Sequence, residues 1–288
     1  MQAMLLHLGF IHSIIKEKTG GYSMNRFGFI GVGNMGSAVA KAVVREVGAQ
    51  NVLVSSRTME KARKVADSLG CEAADNETLA RECRYLVLGV KPQILPGVLT
   101  ALRPVLEKRS SPCTLVSMAA GLTISRLQEL SGVDSVIRIM PNTPVLVGAG
   151  VITYAVSDGV SQEEESEVVE ALAQAGRVDR LSEGLIDVAS ALAGCGPAFV
   201  CQFLEGLADG AVACGLPRQK AYLYGAQMFF GTAKLALETE LHPGVLKDQV
   251  TSPGGSTIQG VRALEKQGLR SAAMEAVIAA CEKNKELG

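Results

Sequence analysis

The 288-residue chain contains no tryptophan, only three histidines and no long run of charge of one sign. Two of the histidines, His7 and His12, lie in the first dozen residues, so only His242 belongs to the body of the chain. Since histidine is the commonest metal ligand and a frequent general base, we expect neither a histidine-based catalytic triad nor a metal site. The net charge of −1 also makes nucleic acid and an anionic membrane unexpected partners.

The seven cysteines are scattered, and no two of them form a Cys-x-x-Cys pair. An odd number without ligand spacing argues against a disulfide framework and against a zinc site. This usage is typical of a reducing compartment, and we therefore expect a cytoplasmic protein. Cys195 has no evident base in the sequence around it, so we interpret it as a small packed side chain and not as a nucleophile.

Residues 1–24 differ from the rest of the chain. The stretch from Met4 to Ile15 is apolar but only about 12 residues long, which is too short to span a bilayer. Positive charge follows this stretch, from Lys16 onward, whereas a secretory signal begins with it. Met24 stands directly before the first predicted strand, so we predict that residues 1–24 are an extension outside the fold.

Strand-like and helix-like patterns alternate from residue 26 to about residue 140. The predicted strands cover residues 27–30, 51–55, 85–90, 114–117, 135–140 and 150–155. Strands separated by helices are typical of a parallel sheet with helices on both faces. The sequence therefore predicts an α/β fold, with a Rossmann-type, doubly wound parallel sheet in residues 25–183.

Residues 184–288 have little strand signal and are rich in alanine, leucine and glycine at helical spacing. The longest predicted helices cover residues 199–215, 218–238 and 271–287. Residues 221–237 carry few polar side chains, so this helix needs burial from several sides. About 100 residues alone bury too little surface for that, and we therefore predict an all-α domain that dimerises.

The first predicted strand leads into a Gly-x-Gly-x-x-Gly turn at residues 31–36. In such a turn Gly31 allows the sharp bend, Gly33 lets a pyrophosphate approach the backbone, and Gly36 lets the next helix pack closely. The predicted helix that follows, from Ser37, has free N–H groups and a dipole that favour a phosphate, and Asn34 and Met35 are further predicted cofactor contacts. The motif predicts a dinucleotide cofactor, with an ordinary glycine-rich turn as the alternative.

The end of the second predicted strand carries Ser56 and Arg57 and no acidic residue. An acid at this place binds the ribose 2′-hydroxyl of a non-phosphorylated dinucleotide. Hydroxyl and guanidinium groups suit a 2′-phosphate instead. We therefore predict NADPH as the cofactor, with NADH accepted at a lower preference; a solvated turn is the alternative interpretation.

Other candidate residues follow later strands, where ligands bind in open α/β sheets. Small side chains at residues 119–121 leave room for a nicotinamide ring. Lys91 is a candidate catalytic residue or an electrostatic cap on the site, and a surface lysine before a turn is the alternative. The further predicted cofactor contacts are Asn76, Val90, Pro92, Ala119, Gly121 and Asn142.

Residues 252–257 form a Ser-Pro-Gly-Gly-Ser-Thr turn before a predicted helix of the second half. Its glycines expose consecutive N–H groups, and the helix start adds a positive dipole end. Such a turn suits a carboxylate, although a capped interhelical loop is the alternative. The predicted substrate-binding residues are Ser252, Gly254, Gly255, Ser256 and Thr257.

Together these motifs resemble those of pyrroline-5-carboxylate reductases. The resemblance covers residues 25–287 and is carried by residues 31–36, 90–93, 119–121, 140–144, 194–198, 246–250 and 252–257. It implies NADPH-dependent reduction of Δ1-pyrroline-5-carboxylate to L-proline, the final step of proline biosynthesis. It also implies a homodimer with interlocked helical domains and shared active sites, and it allows further assembly into a ring of dimers.

The resemblance places the substrate carboxylate on the backbone of Gly254, Gly255 and Ser256, with the hydroxyl of Thr257 near the ring nitrogen. Two other functions stay open. A β-hydroxyacid dehydrogenase would need a general acid, usually lysine, on the first long helix of the second half, and residues 199–215 contain none. A non-catalytic dinucleotide-binding module would not need the turn at 252–257.

Overall fold

The computed structural model describes residues 26–287, so the predicted extension of residues 1–24 lies outside the described residues. Its centre is an eight-stranded sheet in the order β3-β2-β1-β4-β5-β6-β7-β8. The strands are β1 (Phe27–Ile30), β2 (Val52–Ser55), β3 (Glu72–Ala73), β4 (Tyr85–Leu88), β5 (Thr114–Ser117), β6 (Val136–Pro141), β7 (Gly150–Val156) and β8 (Gly176–Arg180).

Helices cover the sheet and then form the second half of the chain. Those of the first half are α1 (Asn34–Val47), α2 (Met59–Leu69), α3 (Asn76–Glu82), α4 (Leu95–Leu106), α5 (Ile124–Ser131) and α6 (Gln162–Leu172). Those of the second half are α7 (Glu183–Ala189), α8 (Gly196–Ala213), α9 (Arg218–Thr239), α10 (Pro243–Gln249), α11 (Ser256–Lys266) and α12 (Leu269–Leu287). A π-helical turn, Ser190–Gly194, joins α7 to α8.

The middle of the sheet confirms the predicted Rossmann-type fold. Strands β1, β2, β4 and β5 are short apolar runs buried on both faces, as interior parallel strands require. Chain order reverses at β1, which pairs in parallel with β2 on one side and β4 on the other. In open α/β sheets a ligand binds at such a switch point, outside the carboxyl ends of the strands.

The far edge of the sheet differs from the prediction of uniformly parallel strands. β7 is antiparallel to β6, because the link between them contains only a short 3₁₀ turn, Thr143–Val147, and a parallel return needs a longer crossover. β8 was not predicted. It is mostly polar, and it forms because α6 brings it back parallel to β7.

The helical half has many apolar side chains but little core of its own. α8 packs on α9, and α12 packs on α7 and the π-helical turn. Leu223, Phe230 and Leu237 of α9 are nevertheless 59, 60 and 73 % exposed. The burial expected for this helix is therefore not reached within one chain, and a partner subunit must supply it.

One helical stretch, Glu183–Ala213, is long and apolar enough to cross a bilayer by length and composition alone. Its most apolar part has a mean hydropathy of 1.6 and is 11 % buried. A helix that packs against a second subunit meets the same criteria, since it also carries apolar side chains on several faces.

Candidate active site

The glycine turn after β1 has the close contacts that its sequence predicts. Gly31 has φ +97°, and a Cβ there would lie 2.6 Å from Cγ1 of Val90. A Cβ on Gly36 would lie 2.3 Å from the carbonyl oxygen of Gly31. At Gly33, by contrast, a Cβ would have no described heavy atom within 4 Å. The turn is therefore crowded on its inner side and open on the side where a pyrophosphate would approach.

Gly89 completes this crowded turn, and the sequence reasoning missed it. A Cβ on Gly89 would lie 2.4 Å from the carbonyl oxygen of Gly31 and 3.4 Å from Cα of Gly36. The Gly89 N–H donates to the carbonyl oxygen of Ile30 at 2.8 Å. A glycine directly after a buried strand is the signal that would have indicated such an approach of two backbones.

The N-terminus of α1 is uncapped. Gly33 is its N-cap, no side chain caps the helix there, and its first turn has no acidic residue. The N–H groups of the first turn have no intrahelical acceptors. This helix start is therefore available to an anion, and Asn34, Met35 and Gly36 supply its first donors.

Asn76 lies where β2 ends, although it belongs to α3. The hydroxyl of Ser55 donates to Oδ1 of Asn76 at 2.6 Å. Within residues 26–287, Nδ2 of Asn76 has no acceptor among the described hydrogen bonds, so this donor is available to a ligand. Because Ser55 is buried, this hydrogen bond fixes the direction of the Asn76 side chain.

The surface beyond β2 is basic. Arg57 is exposed, and Lys61, Arg63 and Lys64 follow it on α2. None of these four side chains forms an ion pair within the part of the chain that the structure describes. Positive charge without a carboxylate partner favours a phosphate over a hydroxyl at this place.

Lys91 and Pro92 lie in the turn after β4. The carbonyl oxygen of Lys91 accepts hydrogen bonds from the N–H groups of Ile94 and Leu95, at 2.9 and 3.1 Å, so the backbone of this turn is held. The side chain of Lys91 is exposed and forms no ion pair among residues 26–287. Val90 packs against Gly31, which joins this turn to the glycine turn.

Residues 119–121 lie at the carboxyl end of β5. Ala119 is buried, and its N–H donates to Oγ of Ser117 at 3.3 Å. Gly121 has φ +74°, a conformation that glycine adopts without strain. The turn then ends at Thr123, whose side chain caps α5. Its side chains are small. We call this turn, together with residues 90–92 after the neighbouring strand β4, the shelf.

Asn142, a predicted cofactor contact, lies at the end of β6 and has two hydrogen-bond partners within the chain. Its Nδ2 donates to the carbonyl oxygen of Ala193 at 2.9 Å, and its Oδ1 accepts from the N–H of Val151 at 2.9 Å. The side chain is 8 % exposed. Asn142 thus joins the end of β6 to β7 and to the π-helical turn, and one of its two amide hydrogens has no described acceptor.

The turn at 252–257 lies in the helical half, where α11 packs on α12. Gly254 has φ +70°, and the N–H of Gly255 donates to the carbonyl oxygen of Ser252 at 3.1 Å. That bond closes the turn, so the open donors are the N–H groups of Ser256 and Thr257 at the uncapped start of α11. All of these residues except Gly255 are exposed.

No activated nucleophile is found among the described thiols near the sheet. Burial raises the pKa of Cys83 to about 12 and the pKa of Cys113 to about 11. Cys195 lies at the start of α8, where its N–H donates to the carbonyl oxygen of Ser190. His242 caps α10 through its ring nitrogen, which accepts from the N–H of Gly244.

Comparison with known proteins gives a family match in each half of the chain. Residues 183–287 match the family model described as pyrroline-5-carboxylate reductase dimerisation. Residues 26–121 match the model described as NADP oxidoreductase, coenzyme F420-dependent. A dimerisation region accounts for the apolar side chains that the helical half exposes, and the chain is therefore a homo-oligomer.

Full-length relatives agree with these matches. The chain is 38 % identical to the pyrroline-5-carboxylate reductase of Arabidopsis thaliana, covering 91 % of this chain and 95 % of the relative. It is also 38 % identical to that of Escherichia coli, covering 91 % and 98 %.

Solved structures give the same answer. The structure of the pyrroline carboxylate reductase of Plasmodium falciparum with NADP bound superposes with a TM-score of 0.82 at 33 % identity, covering 93 % of this chain and all of that one. The reductase of Coxiella burnetii superposes with a TM-score of 0.85 at 31 % identity, covering 93 % and 99 %. On this likeness of sequence and fold, the chain belongs to the pyrroline-5-carboxylate reductase family.

Proposed function

We propose that the chain reduces the C=N bond of Δ1-pyrroline-5-carboxylate with NADPH and releases L-proline. The observation that carries this proposal is that one helix in each half of the chain starts directly after a glycine-rich turn, with a glycine N-cap and no side-chain cap. The start of α1 suits the pyrophosphate of a dinucleotide, and the start of α11 suits a carboxylate. A reductase of a cyclic imino acid needs both anions bound.

NADPH is the expected cofactor for two reasons. The NADP-bound relative from Plasmodium falciparum has the same fold, and the four basic side chains beyond β2 form no ion pair among the described residues. Arg57 and Ser56 hold the 2′-phosphate, Asn76 donates to the adjoining ribose, and the glycine turn receives the pyrophosphate. The shelf for the nicotinamide ring consists of two turns, with the contacts Val90, Lys91, Pro92, Ala119 and Gly121. NADH, which lacks the 2′-phosphate, binds less tightly.

The reaction needs few acidic or basic groups from the protein itself. The nicotinamide supplies a hydride when bound, and a protonated imine already presents an electrophilic carbon. The chain's contribution is to align the two and to hold the charges. The N–H groups of Ser256 and Thr257 orient the carboxylate, and Ser252 and Gly254 shape the turn around it. The Thr257 hydroxyl lies near the ring nitrogen, and Lys91 caps the site electrostatically.

We assign residues 25–183 to cofactor binding and residues 184–288 to dimerisation and substrate binding. Each active site combines the cofactor edge of one subunit with the turn at 252–257 of the other, because the helical half buries its apolar side chains only against a second copy. Further assembly into a ring of dimers is compatible with this arrangement. Seven free thiols suit the cytoplasm, and neither a membrane nor nucleic acid takes part.

A substrate panel tests the reaction. The purified protein should oxidise NADPH when pyrroline-5-carboxylate is added, and it should not reduce NADP+ when β-hydroxy acids are added. The hydroxy-acid alternative would need a general acid on α8, and that helix contains no lysine. Turnover of a hydroxy acid alone would overturn the proposal, and so would binding of NADPH without any turnover.

Mixed dimers test the shared site. Gly33→Asp blocks the pyrophosphate with bulk and like charge, and it fits because the space at Gly33 is open. Ser256→Asp repels the substrate carboxylate and is tolerated in the first turn of α11. Each variant alone should be inactive, and refolding the two together should restore one working site in each mixed dimer. Mixtures that stay inactive would place each site within one subunit.

A further inference from the structure

Arg138 is a buried cation in the middle of β6. Only 2 % of its side chain is exposed, and it is among the largest fully buried side chains of residues 26–287. Its Nη2 lies 2.6 Å from Oδ1 of Asp187, and its Nη1 lies 3.6 Å from Oε1 of Glu183. Its Nε has no partner among the described residues. Burying a guanidinium with one donor unsatisfied costs stability, so its position needs a reason other than core packing.

The two carboxylates connect Arg138 to three other elements. Glu183 and Asp187 both belong to α7, the first helix after the sheet. Oε1 of Glu183 also accepts the N–H of Ile124 at 2.6 Å, which holds the start of α5. The backbone oxygen of Asp187 accepts from Nδ2 of Asn284 at 3.0 Å, near the end of α12. One guanidinium therefore links β6, α5, α7 and α12.

Arg138 lies on the strand next to the one that leads into the shelf. Arg138 is paired in register with Ser117 of β5, and the turn at 119–121 begins two residues beyond Ser117. The same turn ends at α5, whose first N–H is held by Glu183. Arg138 thus acts on the shelf through Glu183, and on the helical half through Asp187.

We propose that Arg138 is a positioning residue for hydride transfer. Through Glu183 and Asp187 it sets the orientation of the nicotinamide shelf relative to the helical half, and thereby the distance between the hydride and the imine carbon held by the partner's turn. This inference rests on the proposed function. A displacement of about 1 Å between reacting atoms costs on the order of 100-fold in rate, so small changes in the cluster have large kinetic effects.

The test measures hydride transfer in single turnovers, with NADPH and with NADPH deuterated at the transferred position. Arg138→Met should lower the single-turnover rate about 10- to 100-fold and raise the temperature dependence of the isotope effect, with unchanged affinity for NADPH. Arg138→Lys, which keeps the charge but not the forked geometry, should recover part of the rate. If Arg138→Met does not fold, Asp187→Asn and Glu183→Gln replace it and should slow the same step.

Arg84→Met is the matched control. Arg84 also lies beside a buried carboxylate, that of Glu164 at 3.6 Å, and its Nε is also unsatisfied among the described atoms, but it precedes β4 at the opposite end of the sheet. It should lose thermal stability and keep its single-turnover rate. Equal rates for the wild type and the Arg138, Asp187 and Glu183 variants would overturn the inference. Failure of the proposed function would differ, since the wild type would then not reduce pyrroline-5-carboxylate.

Discussion

The hydroxyl of Ser55, at the end of β2, donates a 2.6 Å hydrogen bond to Oδ1 of Asn76, at the start of α3. Two elements that meet at the cofactor edge are therefore connected by a buried hydroxyl that a ligand does not need to touch. The bond fixes which end of the Asn76 amide faces outward, and it leaves the Nδ2 hydrogens as donors.

Removing that hydroxyl should weaken cofactor binding without affecting chemistry. Ser55→Ala frees the Asn76 amide to rotate, and we expect KM for NADPH to rise about fivefold, equivalent to about 1 kcal/mol for one neutral hydrogen bond, with kcat unchanged. Steady-state kinetics measure both constants. Ser68→Ala is the control, since the Ser68 hydroxyl donates to the carbonyl oxygen of Val65 within the same helix. A fall in kcat with constant KM would contradict the interpretation.

Arg57 should determine the preference for NADPH. Arg57→Ala removes a charged hydrogen bond to the 2′-phosphate. We therefore expect kcat/KM for NADPH to fall by a factor equivalent to about 1.5–3 kcal/mol, with almost no change for NADH. Arg63→Ala removes the same charge from α2 and should have a much smaller effect. Equal losses with both cofactors would exclude Arg57 from the 2′-phosphate site.

Gly89 should tolerate no side chain. In Gly89→Ala the new Cβ meets the backbone oxygen of Gly31, which cannot rotate away, so we expect about 1–3 kcal/mol lower stability and weaker NADPH binding. Gly97→Ala, on α4, meets no described atom within 4 Å and should keep or raise stability. Chemical denaturation and cofactor titration measure the two effects. Wild-type stability in Gly89→Ala would mean that the turn relaxes.

Glu164 should make stability depend on acid pH. Burial by itself would raise its pKa, but hydrogen bonds from Ser161 and Thr114 and the charge of Arg84 lower the pKa below its ordinary value of 4.5. Its stabilising contribution is therefore complete above pH 4.5 and is lost as the pH falls through the lower pKa of the folded state. Glu164→Gln should be about 1.5–3 kcal/mol less stable at pH 7.

The difference between the wild type and Glu164→Gln should shrink as the pH is lowered from 4.5 toward 3. Urea unfolding, with both proteins at the same concentration, measures this difference in the free energy of unfolding. Glu163→Gln is the control, because Glu163 is exposed in the same turn of α6. A difference that stays constant between pH 7 and pH 3 would show that the Glu164 carboxylate contributes nothing as a charge.

Local geometry could be predicted from the sequence where a few neighbouring residues create it. The turns at 31–36 and 252–257 are of this kind, because the glycines and the helix starts are adjacent in the chain. Prediction failed where distant residues decide. Arg138 interrupts an apolar strand, and a charge there is usually exposed, but Asp187 lies 49 positions later and makes burial feasible. Likewise, no residue close to Asn142 in the sequence indicates that the Asn142 amide donates to the carbonyl oxygen of Ala193.

Sheet topology shows the same limit. The interior strands could be predicted because burial on both faces demands continuous apolar runs. β8 could not, since an edge strand with Arg177, Asp179 and Arg180 has no such run and becomes a strand only by pairing with β7. The antiparallel direction of β7 depends on a link too short for a crossover helix, and the predicted strands alone did not indicate it.

The exposed apolar side chains of α8 and α9 have a consequence for the life of the chain in the cell. A newly synthesised copy can complete its sheet alone, but its helical half exposes apolar surface that is prone to aggregation until a second copy binds. Assembly therefore competes with aggregation, and the outcome depends on how many copies are made at once. The yield of folded enzyme therefore depends on the level of expression. A chaperone that shields the second half would regulate that yield.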